Sequence, residues 1–385
     1  MSEEIFRASE VLRGAISTAS RGLIERESLV ELVALGAVAG EHLLVIGPPG
    51  TAKSEAVRRI ARALGGEYFE YLLGRFTEPS EIFGPIDIRK LKEGTIETET
   101  AGMLPEAEIA FLDEVFQGST AILNTLLGIL NERRFRRGHT HMDCPLRVCA
   151  GASNALPEDE SLGAFADRFL IRVFLEPIAD TLLEDLLESG WSLTSPMAGH
   201  SASIHDIDTL AVAAREAELE RLRPILAQAV RKLRKAGIHL SDRRIVRCQK
   251  LIAAAAVLAG RPDPQEPDLW PIIYAVPSRE QQVMARDCLR DMLDRSENAT
   301  LPAAAEEASL GPLARATRIG KLAKELLSGQ PPLENVEDYE MWLLKLEGVV
   351  REIDAGFAPD QIPGELASLR SSIASVLIPA LEPVT

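Results

Sequence analysis

The chain has 385 residues, enough for two or three domains and at least one full core, and its balance of apolar, charged, Gly and Pro residues rules out a fibrous, collagen-like or wholly disordered chain. Its formal charge of −16, from 58 acidic against 42 basic residues, argues against a general nucleic-acid-binding surface while leaving a local basic patch open. Four scattered cysteines (Cys144, Cys149, Cys248, Cys288), an N-terminus without a signal-peptide pattern and the lack of any run of about 18 apolar residues lead to the expectation of a cytoplasmic protein with no membrane span.

Apolar residues recur at helical spacing over residues 5–37, with Arg21-Gly22-Leu23-Ile24 as a break between two helices. The character then changes. Residues 42–46 (HLLVI) form an apolar run that stops at Gly47-Pro48-Pro49-Gly50, and a helical period resumes over 53–64, which is strand, glycine loop, helix. Residues 68–72 are a second strand candidate. Residues 87–100 (DIRKLKEGTIETET) are polar with alternation around Gly94, and are expected to form a small hairpin-bearing insertion. A buried strand over 109–112 ends in Asp113-Glu114; a helix over 119–131, an exposed basic hairpin over 133–141, a strand over 146–152 and a closing strand over 173–175 follow. Strands alternating with helices predict an α/β fold, a parallel sheet with helices on both faces. From residue 178 onward only helical periods remain (209–235, 242–259, 279–295, 313–327, 336–353, 364–377), with linkers at Arg261-Pro262-Asp263-Pro264, around Pro302 and at Gln330-Pro331-Pro332.

Gly47-Pro48-Pro49-Gly50-Thr51-Ala52-Lys53-Ser54 occupies the context that a phosphate-binding loop requires. Small residues let successive backbone N–H groups converge on phosphates, and the new helix turns its unpaired N–H groups and positive dipole end to the same anion. Lys53 would add a full charge at the β and γ phosphates, and the Ser54 hydroxyl would coordinate Mg²⁺. Ala52 stands where glycine usually precedes the lysine, at a steric cost expected to be tolerated. The competing reading is a tight strand-to-helix turn.

The strand over 109–112 ends in carboxylates that must emerge at the carboxyl edge of the sheet, where open α/β folds bind ligands. Asp113 would hold Mg²⁺ through water, and Glu114 would act on the attacking water as general base. Asn154, after a third strand end, offers an uncharged donor and acceptor to orient that water. Arg168, in Asp167-Arg168-Phe169, has either a role outside the sheet or a surface salt bridge.

The motifs GPPGTAKS, IAFLDE, GASN, DRF and Ser241-Asp242-Arg243 stand in the order of the AAA+ ATPases, and residues 7–277 resemble the MoxR group. The likeness is to its RavA-like branch, through EIFGP (81–85), GMLPEAEIAFLDE (102–114), ILNTLLGILNERRFRRG (122–138) and SDRR (241–244). The resemblance implies an AAA+ α/β core over 1–177, an all-α lid over 178–298 and a C-terminal helical region over 299–385 in place of the family's β-interrupted module. It implies ATP and Mg²⁺ as cofactors, and a ring, usually a hexamer, with each active site between subunits. Arg168 would reach the γ-phosphate of the next subunit, Asn154 would be the first sensor, and Arg243, or its neighbour Arg244, the second. The segments 87–100 and 133–141 would face the pore, where Arg133, Arg134, Arg136 and Arg137 could grip a polypeptide or an acidic partner, or serve as a solvated hairpin or in intersubunit ion pairs.

The leading expectation is hydrolysis of ATP to ADP and phosphate that remodels a protein client in a chaperone-like way, with a von Willebrand factor A domain protein as the partner the resemblance suggests. The alternatives are a nucleic-acid motor or loader, against which the charge argues, and a nucleotide-gated scaffold with little turnover, for which Ala52 is the local hint.

Overall fold

The computed structural model describes residues 2–192, 202–310, 312–332, 336–356 and 362–380. Seven strands are present among them: β1 (Leu43–Ile46), β2 (Tyr68–Leu72), β3 (Ile109–Asp113), β4 (Arg134–Arg137), β5 (Thr140–Asp143), β6 (Val148–Ser153) and β7 (Ile171–Phe174). Five of them form a parallel sheet in the order β2-β3-β6-β1-β7, as alternating strands and helices predict.

The residues of β1 and β6 are buried throughout, so the sheet must be covered on both faces. Side-chain alternation assigns each face its own core. Leu43, Val45, Ile109, Phe111, Val148, Ala150 and Ala152 join the core that includes the Ser2–Ser20, Glu27–Ala39 and Lys53–Leu64 helices, while Leu44, Ile46, Ala110, Leu112 and Cys149 face the core built on the Thr120–Glu132 helix.

Two compact units emerge, Met1–Pro177 with Ser195–Ser309, and Ile178–Thr194 with Leu310–Thr385. Residues 178–192, placed at the head of the lid by the sequence reading, thus belong with the tail, where Thr181 packs against Gly348. Residues 299–309 belong with the first unit: the Pro302–Leu310 helix, read in sequence as a linker, has its first N–H groups capped by Glu31, with Ala303 and Ala304 donating at 3.2 and 2.7 Å. In the second unit the Val336–Gly356 helix buries Trp342, Leu346, Val349 and Ile353, and Trp342 Nε1 donates to the Leu326 carbonyl at 2.7 Å.

Three further segments differ from the sequence expectation. Residues 209–235 are parts of two helices, Ile204–Glu216 and Leu222–Lys235, because Ala217 leaves the helical region at ψ 140°. The insertion carries a short helix, Ile88–Lys92, and a single Ile86–Thr98 bridge in place of its own hairpin. Instead it docks on the β4–β5 hairpin, where His139 N–H donates to the Ile96 carbonyl (2.8 Å) and Thr98 N–H to Thr140 Oγ1 (2.8 Å). Arg133 is not part of the exposed basic face. It ends the Thr120–Glu132 helix at φ 56° and turns its guanidinium inward to His42 and the Gly40 carbonyl. Arg137 bonds the Gly84 carbonyl and Arg134 pairs with Asp143, which leaves Arg136 as the exposed cation of the set without a described ion pair.

Candidate functional site

The phosphate loop leaves the carboxyl end of β1 and passes directly into the Lys53–Leu64 helix. Gly47 N–H donates to the Ser153 carbonyl (3.1 Å), extending the β1–β6 register by one residue and fixing the start of the loop. Ala52 adopts the left-handed conformation, φ 58° and ψ 27°, in which glycine is at no disadvantage and a Cβ costs about 1–2 kcal/mol. The steric cost expected at this position is therefore a backbone cost. Lys53 Nζ donates to the Gly47 carbonyl at 2.6 Å and to Pro48 at 3.3 Å, holding the ammonium inside the loop. Burial pulls the Lys53 pKa below its ordinary value, opposed by the nearby carboxylates of Asp113 and Glu114.

Because β6 lies between β1 and β3, the three strand ends open side by side. Glu114 is also left-handed, at φ 49°, and its N–H donates to Asp113 Oδ1 at 3.0 Å. Asn154 Nδ2 donates to Glu114 Oε1 at 2.8 Å. A cavity of about 340 Å³ is lined by Pro49, Gly50, Thr51, Ala52, Lys53, Ser54, Asp113, Glu114 and Asn154. The structure thus gathers most of the sequence-predicted site in one place, while Gly47 and Pro48 serve it through carbonyls that hold Lys53.

Arg168 and Arg243 lie elsewhere. Arg168 precedes β7, whose first N–H donates to the His42 carbonyl at the beginning of β1, so it sits at the edge opposite the phosphate loop. Arg243 is at that edge too, its Nη2 donating to Asn131 Oδ1 at 2.6 Å near the end of the Thr120–Glu132 helix. Burial, then the charges of Arg168 and Arg247, lower the Arg243 pKa, which marks the three cations as neighbours. Arg244 is spoken for. Fully buried, it donates to Asp167 Oδ1 (2.6 Å) and to the carbonyls of Phe169 (2.9 Å), Leu170 (3.0 Å) and Ala275 (2.6 Å).

Arg26 escaped the sequence reading. Its Nε donates to the Thr51 carbonyl and its Nη2 to the Glu176 carbonyl, both at 2.8 Å, so it braces the phosphate loop against the segment after β7. Flanked by Glu25 and Glu27, it reads in sequence as one more surface charge, and no periodicity marks it as buried.

A family model described as the MoxR domain of MoxR-vWA-beta-propeller ternary systems matches residues 10–212, more than half of the chain. The chain belongs to the MoxR family of AAA+ ATPases. A second model, an AAA lid domain, matches residues 219–285 of this MoxR-family chain. Two uncharacterised proteins of Methanocaldococcus jannaschii are 38% and 37% identical to it, over 64% of this chain in each case and over 64% and 66% of their own lengths. The match therefore spans just under two thirds of those relatives. The chaperone MoxR1 of Mycobacterium tuberculosis is 28% identical over 43% of this chain and 45% of its own. A crystal structure of a candidate ATPase from Cytophaga hutchinsonii superposes with a TM-score of 0.61 at 16% identity, covering 77% of this chain and 97% of that one, a likeness of fold. No described helix is long and apolar enough to cross a membrane.

Proposed function

We propose that this MoxR-family protein, which we place with the RavA-like branch on its sequence motifs, hydrolyses ATP with Mg²⁺ in a cytoplasmic ring, a hexamer, and uses the turnover to remodel or mature a protein client. The observation that carries the reading is the convergence of the phosphate loop, Asp113-Glu114 and Asn154 on one cavity. The donor set fits Mg²⁺: Ser54 and Asp113 bring oxygen donors to the same cavity, and a cation that keeps its waters and binds phosphates needs little more than the Ser54 hydroxyl and, through water, Asp113. Bound there, Mg²⁺ would neutralise charge on the β and γ phosphates.

In this reading the chain's own groups divide the work. Backbone N–H groups of residues 50–54 and the helix end bind the phosphates, and Lys53 moves from the loop carbonyls to the terminal phosphates. Glu114 takes the proton of the attacking water, and Asn154 holds the Glu114 carboxylate at the angle required. Arg168 and Arg243 are separated from the phosphate loop by the length of β1, about 13 Å, so they would serve the nucleotide of an adjacent subunit, as finger and second sensor. The functional division into ATPase core, lid and tail follows the family, and we take the lid to lie within residues 195–309, the second stretch of the first compact unit. The wording of the matched MoxR model supports a von Willebrand factor A domain protein as partner.

The test is phosphate release by the purified protein, with Lys53→Ala and Glu114→Gln beside it, and light scattering with and without ATP. Hydrolysis that needs both residues and a particle several subunits in size support the reading; wild-type turnover in both variants overturns it.

A further inference from the structure

The Asp242–Leu258 helix grips the segment that carries Arg168 at two successive points. Arg244 takes Asp167, Phe169 and Leu170, as described above, and Arg247 Nη1 donates to the carbonyl of Arg168 itself at 3.3 Å. Arg247 also forms an ion pair with Glu41, whose side chain is 1% exposed, and Lys250 Nζ lies 3.4 Å from the other Glu41 oxygen. Neither Glu41 oxygen makes a well-aligned hydrogen bond, so the attachment is one of charge, and in a buried setting that charge is poorly screened.

Arg168 Nε is buried and has no hydrogen-bond partner among the described residues, so no polar contact at that atom orients the side chain. Its placement depends on the backbone beneath it. Glu41 lies two residues before Leu43, the first residue of β1, and β1 is paired on both sides, with β6 and β7. Glu41 and Gly47 therefore flank the two ends of one four-residue strand that is held on both edges.

We propose that Arg247, anchored by Glu41, is a positioning residue for Arg168, and that the pair ties the arginine offered to the neighbouring subunit to the strand that carries this subunit's own phosphate loop. The inference rests on the reading of Arg168 as a finger acting between subunits. The latch makes presentation of that arginine sensitive to the position of β1, which is a route by which nucleotide in one subunit influences hydrolysis in the next.

The experiment is steady-state ATP hydrolysis by the full chain, resolved into kcat and KM, with binding of a fluorescent ATP analogue and particle size by light scattering. Arg168→Ala is expected to lower kcat by about 1,000-fold or more, the usual worth of such an arginine. Arg247→Ala and Glu41→Gln are expected to lower kcat by about 10-fold, as misplacement of a group costs less than its removal, with nucleotide binding and particle size unchanged. The double variant Arg168→Ala with Arg247→Ala should be no slower than Arg168→Ala alone. Should Arg247→Ala not fold, Arg247→Lys replaces it; it keeps the charge opposite Glu41 and is expected to show a kcat between wild type and the Glu41→Gln variant. Wild-type kcat in the folded Arg247 and Glu41 variants, or losses that multiply in the double variant, overturn the latch and leave the finger standing. Wild-type kcat in Arg168→Ala overturns the finger itself.

Discussion

Asn154 and Glu114, 40 positions apart in the chain, meet through a 2.8 Å hydrogen bond from the amide nitrogen of one to the carboxylate of the other, across the ends of adjacent strands β6 and β3. An amide that donates to a carboxylate restricts its rotation, as the role of general base proposed for Glu114 requires. Glu114→Gln is expected to reduce ATP hydrolysis by at least about 100-fold while ATP binding persists, and Asn154→Ala by about 10-fold. The double variant should be little slower than Glu114→Gln, measured as phosphate release at saturating ATP; full additivity would show that the two side chains act separately.

Ala52 bears the left-handed backbone of the phosphate loop with a Cβ attached. Ala52→Gly should raise unfolding stability by about 1 kcal/mol, the penalty removed less the entropy glycine adds to the unfolded chain. Denaturant melts of the two proteins check this, and a less stable glycine variant would mean the loop relaxes differently.

Arg26 reaches the Thr51 and Glu176 carbonyls with a planar fork that one ammonium cannot imitate. Burial lowers its pKa, yet it stays charged at any accessible pH. Arg26→Ala and Arg26→Lys should each cost about 2 kcal/mol of stability and weaken nucleotide binding, read by calorimetric titration with ATP. Lysine restoring wild-type affinity would show that charge alone is what the loop needs.

The paired arginines of SDRR have separate fates. Ser241 caps the helix by accepting the Arg244 N–H at 3.3 Å, which sets Arg244 inward and Arg243 toward Asn131. Arg244→Ala strips a buried charge network and should cost about 3–5 kcal/mol. Arg243→Ala should leave stability within about 0.5 kcal/mol, as surface changes do, and lower hydrolysis. Thermal melts beside activity assays distinguish them; equal destabilisation would show that Arg243 is also structural.

Glu31 caps the Pro302–Leu310 helix from a buried position, and burial, outweighing its two backbone hydrogen bonds, raises its pKa to about 8. Its folded pKa exceeds the unfolded value of 4.5, so the folded state holds the extra proton between the two. The stability it contributes is complete below the unfolded value and is lost as pH rises toward about 8. Urea melts at a series of pH values should show wild type losing about 1 kcal/mol per pH unit relative to Glu31→Gln across that window. Parallel profiles would mean that Glu31 is charged throughout.

Sequence alone determined the parts whose signal is local. Apolar runs ending in glycine or in carboxylates mark strands buried on both faces, because such runs can neither stay in solvent nor hide the acids that close them, and so the phosphate loop, Asp113-Glu114 and Asn154 were legible one by one. Helical periodicity likewise carried the all-α half. Tertiary structure alone decided which charges are buried and which face outward, since burial depends on what another part of the chain brings: Arg133 leaves the basic hairpin for Gly40, Arg244 is spent on Asp167, Arg26 reaches Thr51, and Glu41 meets Arg247. It also decided the unit boundary near 310, where Glu31 draws in a helix that reads as a linker. A long-range ion pair leaves no period and no motif. Its energy is electrostatic and falls to chance in an unfolded chain, so only the folded sheet, which brings β1, β6 and β7 together, decides it.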